Sequence, residues 1–153
     1  MSIADRLHEL GLALPSPTTA VGSYSTAVQS GQLVFLSGHI CKRDGQVVRG
    51  KVGVGGDHTE IEAQQLAALC ALDLLATLDA AVGLDQVARV VKLVGFVNST
   101  DSFTDQSIVL NGASDLLVSI FGEDRGRHAR SAVGVNQLPM GASVEVEAIV
   151  EVA

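Results

Sequence analysis

The stretch Val87–Val97, VARVVKLVGFV, limits what this chain can become more than any other. It is rich in β-branched residues and apolar at nearly every second position on both of its faces. A strand of that kind is buried from both sides. The remaining elements supply too little cover for this. Two long stretches read as helices, Asp57–Val82 and Phe103–Phe121, and the order along the chain reads ββ, α, β, α, ββ. That order predicts an α+β layer architecture in a single domain spanning 1–153, one sheet with two helices packed on one face. The other sheet face must meet something, and a second copy of the sheet is the simplest answer.

In chain order, Ser2–Leu10 reads as a short helix with Ile3, Leu7 and Leu10 on one face and Gly11 as C-cap. Leu14-Pro15-Ser16-Pro17 breaks it, so 1–20 forms an N-terminal helical extension. Tyr24–Gln29 and Gln32–Ser37 read as strands around a Ser30-Gly31 turn. Lys42-Arg43-Asp44-Gly45 is a further turn, and Gln46–Val54 is loop-like with some strand character. Val52-Gly53-Val54-Gly55-Gly56-Asp57 suggests a phosphate-cradling loop, but GxGxxG would need glycine at His58 and no GK[ST] follows. The simpler reading is a flexible entry to the long helix, with Asp57 as N-cap and Glu60 completing a capping-box-like pair. Ile61, Leu66, Leu69, Leu72 and Leu75 or Ala76 make a stripe of helical period on it. Asn111-Gly112 weakens the second helix.

The chain has 153 residues and is 47% hydrophobic, enough for a sizeable core. Leu66–Leu78 is apolar but interrupted by Asp73, which favours a helix of a folded domain over a membrane span. The start, MSIADRLHELG, carries charges throughout and lacks a signal-peptide core, so the cytoplasm is the default location and no membrane partner is expected. Cys41 and Cys70 form no CxxC, which favours reduced thiols. A net charge of −7 and an aromatic content of 3% disfavour nucleic acid as a partner. His8, His39, His58 and His128 show no ligand spacing, so neither a metal nor a cofactor is expected. The one basic cluster, Arg125-Gly126-Arg127-His128-Ala129-Arg130, reads as a small anion site.

The last stretch, ARSAVGVNQLPMGASVEVEAIV, holds two β-like runs, Ala129–Val135 and Val144–Val152. Pro139 and Gly141 mark a turn between them, so they read as a hairpin or a wider strand-loop-strand. Val144, Val146, Ala148, Val150 and Val152 share one face of the second run; Glu145, Glu147, Ile149 and Glu151 share the other. In the first run Arg130, Ala132 and Gly134 share a face. The order Arg-Ser-x-Val, a Leu-Pro turn and a final Glu-x-Glu-Ala-Ile strand resembles the C-terminal signature of the RidA (YjgF-type) enamine/imine deaminase family. Gly22-Ser23-Tyr24 through Leu36-Ser37-Gly38-His39 resembles that family's N-terminal hairpin, and the resemblance covers about Tyr24 to Val152. It implies a chorismate-mutase-like fold, a homotrimer with ligand clefts between subunits, and a small carboxylate-bearing metabolite as the partner.

Arg130 offers a permanently charged planar fork that fits a carboxylate bidentately. Taken from the residues alone it serves a ligand or pairs with Glu145 or Glu147; the resemblance assigns it to carboxylate binding. Glu145 matches the acidic residue that activates water, and a partly buried glutamate can carry a raised pKa suited to that work. Ser37 and Gly38 match a Ser-Gly pair that orients water and imine. No GxSxG surrounds Ser37, so a hydrolase-type nucleophile is not indicated. Tyr24 matches a cleft tyrosine, and Asn111 roughly matches a helical asparagine. Two departures stand out: Ala132 occupies a position where many members have cysteine, and His128 one where many have proline. A symmetric hairpin does not place Glu145 opposite Arg130, so either a bulge adjusts the register or the two meet across a subunit boundary. The leading expectation is hydrolytic deamination of reactive 2-enamino and 2-imino acids to 2-keto acids and ammonia. A non-catalytic metabolite-binding trimer is the alternative, and an endoribonuclease a weaker one.

Overall fold

The clean two-residue alternation of Val144–Val152 builds the middle strand of the molecule, β7. Its five apolar side chains are buried and its intervening residues half-exposed, as a strand with one covered face requires. The computed structural model describes residues 1–153. The elements are α1 (Ile3–Glu9), β1 (Ala27–Ser30), β2 (Leu33–Ile40), β3 (Lys42–Arg43), β4 (Gln46–Val47), α2 (Glu60–Val82), β5 (Val87–Asn98), α3 (Gln106–Phe121), α4 (Glu123–Gly126), β6 (Ala129–Val135) and β7 (Val144–Val152). The main sheet runs β1-β2-β7-β5-β6, antiparallel except for the parallel β5–β6 pair, and β3–β4 forms a small separate hairpin.

Of the two readings of the segment around Pro139, the topology excludes the hairpin and leaves the wider strand-loop-strand. β6 and β7 do not pair, because β5 lies between them. Leu93 is in register with Arg130 on one side and with Ala148 on the other. β5 therefore takes the place that a direct β6–β7 ladder would have needed, and the Asn136–Ser143 connection spans it. β5 itself is buried on one face only: Val90, Leu93 and Val97 lie under the helices, while Val91, Val94 and Phe96 stay half-exposed on the other face. Val28 (54% exposed), Phe35 (43%) and Val133 (45%) widen that open apolar surface.

α2 and α3 cover the opposite face and pack against each other. α2 begins later than the sequence suggests. Thr59, not Asp57, is its N-cap, and the capping box is Thr59 with Glu62. Asp57 instead accepts the Lys51 N–H and helps fold the preceding loop. The buried side of α2 also differs from the expected stripe. Ala63, Leu66, Ala67, Cys70, Ala71, Leu74, Leu75 and Leu78 face the core, whereas Ile61 is 69% exposed and Leu69 and Leu72 are only partly buried. Small residues set this face because they allow close approach. Gly112 of α3 does the same from the other side: a Cβ there would fall 1.9 Å from the Gln64 carbonyl oxygen. What reads in sequence as a weak point of α3 is its contact with α2.

α2 is long and apolar enough, by length and composition, to cross a membrane; here it packs on β2, β7 and α3. Both cysteines are free and buried, and Cys70 sits in the core face of α2, where burial pushes its thiol pKa well up. Within the extension, α1 inserts Ile3 and Leu7 into the core and is tied to the body by Ile3 N–H to Asp85 and by Arg6 to the Ser119 carbonyl.

Candidate functional site

The expected residues fall into two groups on opposite sides of the sheet. The first lies on the open face. A register shift between Leu36 and His39 interrupts the β2–β7 ladder at Ser37-Gly38. The shift is pinned: Ser37 Oγ donates to the Ser25 carbonyl at 2.7 Å, and Ser37 N–H donates to the Thr26 carbonyl at 2.9 Å. Beyond it His39 turns inward, its ring bonded to the Ser37 carbonyl (2.6 Å) and to Thr77 Oγ1 (2.8 Å). Glu145, in register with Ile40, lays its side chain over Gly38. A Cβ on Gly38 would come within 2.2 Å of Glu145 Oε1, so the seat exists only because residue 38 has no side chain. Burial raises the Glu145 pKa above the ordinary carboxyl value, and the neighbouring Glu147 adds to it. Tyr24 precedes Ser25 and is 53% exposed outside β1, with its hydroxyl accepting a long 3.5 Å bond from Val21 N–H. Next to this group the open face forms a cavity of about 300 Å³ lined by Phe35, Val94, Ile149, Lys92, Glu147 and Ser37 among others.

The second group lies on the helix side, on edge strand β6. Arg130 donates through Nη1 to Ser114 Oγ and through Nη2 to the Ser107 carbonyl, each at 3.1 Å. Ser107, Asn111 and Ser114 are spaced by four and three residues, so they share one face of α3. Asn111, Ser114, His128 and Arg130 line a cavity of about 470 Å³. Ala132 follows Arg130 on the same strand face and is partly buried against the core. Arg130 makes no ion pair within the chain; the three salt bridges are Arg6–Glu9, His58–Glu62 and Arg127–Glu123. The Arg130–Glu145 or Arg130–Glu147 pair considered from sequence is therefore absent. The sheet lies between them.

Ser107, Ser114 and the bonding of His128 were not found from sequence. The polar Ser-Asn-Ser stripe on an otherwise apolar helix was the available signal. His128 Nε2 lies 2.9 Å from Ser114 Oγ, and its Nδ1 lies 2.6 Å from the Gly126 carbonyl oxygen.

Known proteins resemble the chain over nearly its whole length. The family model described as endoribonuclease L-PSP matches residues 15–152. Protein TCP17 of Trypanosoma cruzi is 50% identical over 151 residues, covering 97% of this chain and 93% of that protein. The 2-iminobutanoate/2-iminopropanoate deaminase of Dermatophagoides farinae is 32% identical over 139 residues, covering 91% and 93%. The crystal structure of a protein of unknown function from Agrobacterium tumefaciens superposes with a TM-score of 0.89 at 42% identity, covering 99% of this chain and 92% of that one. With nearly its whole length matched by the family model and a deaminase among its relatives, the chain belongs to the endoribonuclease L-PSP family, the YjgF/RidA group.

Proposed function

We propose that this protein hydrolyses 2-imino acids and their enamine tautomers to 2-keto acids and ammonia. The observation that carries the reading is the uncompensated charge of Arg130. Its two engaged nitrogens bond neutral oxygens, and no carboxylate of the chain pairs with it. Those bonds hold the guanidinium plane while leaving donors free for a carboxylate. The Dermatophagoides farinae relative, a 2-iminobutanoate/2-iminopropanoate deaminase by name, supports 2-imino acids as the substrate class.

The Arg130 and Glu145 groups lie on opposite faces of one sheet, so one chain cannot bring them to one substrate. Joining them requires a second chain. The apolar open face and the expected homotrimer supply one, with the Arg130 group of one subunit facing the Glu145 group of the next across a cleft. In this reading Arg130 holds the substrate carboxylate, with Asn111 and Ala132 lining its side of the cleft and Tyr24 the other. Glu145 takes a proton from water as the oxygen bonds to the imine carbon. The Ser37-Gly38 backbone orients that water. Glu145 passes that proton to nitrogen, giving a carbinolamine, then takes the hydroxyl proton and delivers it to the amine as the C–N bond breaks, so both hydrogens of the water leave with ammonia and the keto acid remains. Positioning supplies most of the acceleration because the uncatalysed reaction is already easy.

A second reading, a carboxylate-binding protein without turnover, is favoured by Ala132, which brings no reactive group to the position beside Arg130. The endoribonuclease description of the family fits less well with a charge of −7 and 3% aromatics. The test generates 2-imino acids in situ with an amino-acid oxidase and follows ammonia and keto-acid release above the spontaneous rate, with light scattering on the same sample. Turnover by a particle of about three chains is the expected result. A stable monomer, or no gain over the spontaneous rate with several side chains, overturns the reading, and stabilisation by 2-keto acids without turnover selects the binding protein.

A further inference from the structure

His128 and Ser114 have no part in the reaction as described, yet they form a continuous hydrogen-bond chain ending on Arg130. A carbonyl oxygen only accepts, so the 2.6 Å contact with Gly126 fixes the proton of neutral His128 on Nδ1. Nε2 is then an acceptor, and the Ser114 hydroxyl at 2.9 Å must be its donor. With its hydrogen committed to His128, Ser114 Oγ turns lone-pair density toward Arg130 Nη1 at 3.1 Å. The bonds run in one direction, from Arg130 to Ser114 to His128 to the Gly126 carbonyl, so each polarises the next.

The anchor of the chain is rigid. A Cβ on Gly126 would meet Val118 Cα at 2.7 Å and the Leu117 carbonyl oxygen at 2.8 Å, so α4 is pressed onto α3. Gly126 N–H also donates to the Gly122 carbonyl at 2.7 Å. His128 stays neutral near pH 7: burial lowers its pKa, the Gly126 carbonyl opposes this, and Arg130 reinforces it. The other charged groups around it are of both signs, Asp115, Glu123 and Arg127 in the cavity and Arg89 and Glu151 in the groove behind.

We propose that His128 is a positioning residue that sets how firmly Arg130 grips a substrate carboxylate, acting through the Ser114 hydroxyl. The proposal rests on the reading of Arg130 as the carboxylate-binding group. It gives a role to the residue at which this chain carries histidine in place of proline.

The test is a double-mutant cycle on the intact protein, with 2-ketobutanoate as probe and its neutral amide as control, binding being read by calorimetry. Ser114→Ala is expected to weaken 2-ketobutanoate binding about tenfold, the low end for losing a hydrogen bond to a charged group, and to leave the amide unchanged. Ser114→Thr keeps the hydroxyl and restores binding. His128→Gln weakens binding several-fold in wild type and adds nothing in the Ser114→Ala background. Nitrogen NMR of the imidazole shows the Nδ1–H tautomer and a shift of Nε2 on Ser114→Ala. Independent losses in the cycle, equal losses for the amide, or an Nε2–H tautomer overturn the relay while leaving the Arg130 assignment intact. If wild type does not bind 2-ketobutanoate, the Arg130 assignment fails and the relay fails with it.

Discussion

Gly38→Ala puts the proposed water-activating group under direct test by displacing its carboxylate without replacing it. The backbone at 38 is outside the left-handed region, so alanine is tolerated there, and the residue is exposed. The added methyl would lie 2.2 Å from Glu145 Oε1 and 2.9 Å from Cδ, but 3.2 Å from Cγ. Relief therefore comes from swinging the carboxyl end while the stem stays. Restoring ordinary contact moves the oxygen by about 1 Å, and an off-rotamer side chain costs on the order of 1 kcal/mol. A misplacement of that size at a reacting group costs about 100-fold in rate. The fold should hold, since replacing an unstrained glycine by alanine narrows the unfolded ensemble by about 0.4–1 kcal/mol in favour of the native state. The expected outcome is a protein of unchanged circular dichroism and assembly. Its kcat for in situ generated 2-imino acids drops about 100-fold with little change in KM. In a Glu145→Gln background the same substitution should have almost no further effect, because the displaced group is already inactive. Full activity of Gly38→Ala in a folded protein would refute the role of the Glu145 seat.

Arg130→Lys keeps the charge but loses the fork held by Ser114 and the Ser107 carbonyl, so it should not rescue keto-acid binding lost in Arg130→Ala, a loss of about 2–5 kcal/mol by calorimetry if the contact is desolvated. Because the Glu145 pKa is raised, kcat/KM should fall as pH drops through a value above the ordinary glutamate range, and Glu145→Gln should abolish that limb. The same shift has a stability sign. Between the unfolded and the raised folded pKa the native state binds more protons, so stability falls as pH rises through that window. Glu145→Gln should then melt higher than wild type near pH 7, with the difference vanishing in acid. Gly112→Ala places its methyl against backbone that cannot rotate away, so denaturant titration should show a loss of about 3 kcal/mol or more with α2 and α3 pushed apart.

The identities of the main elements were legible in the sequence because they rest on local periodicity, whereas the short β3, β4 and α4, which read as turn, loop and connection, were not. The five apolar positions of β7, the short helix after Ser2 and the presence of two long helices all follow from spacing within one segment, although Leu10 and not Gly11 is the C-cap of the short helix. The open apolar face was legible too, from a count of cover against surface. Which strand pairs with which was not: β5 comes from far upstream to lie between β6 and β7, and no pattern internal to either strand encodes a partner. The buried face of α2 was misread for a related reason. Hydrophobicity points to Ile61 and Leu72, but the approach of α3 selects small residues, and only packing reveals that. Within the proposed site, Arg130, Glu145 and the Ser37-Gly38 pair are named by the resemblance in motif order to a known family. Their separation onto opposite faces was not legible, because the side of the sheet on which Arg130 lies depends on its register with Leu93, in a strand remote in sequence. Ser114 and His128 meet for the same reason: α4 folds back onto α3, and the contact between them depends on a glycine whose neighbours are set by tertiary structure alone.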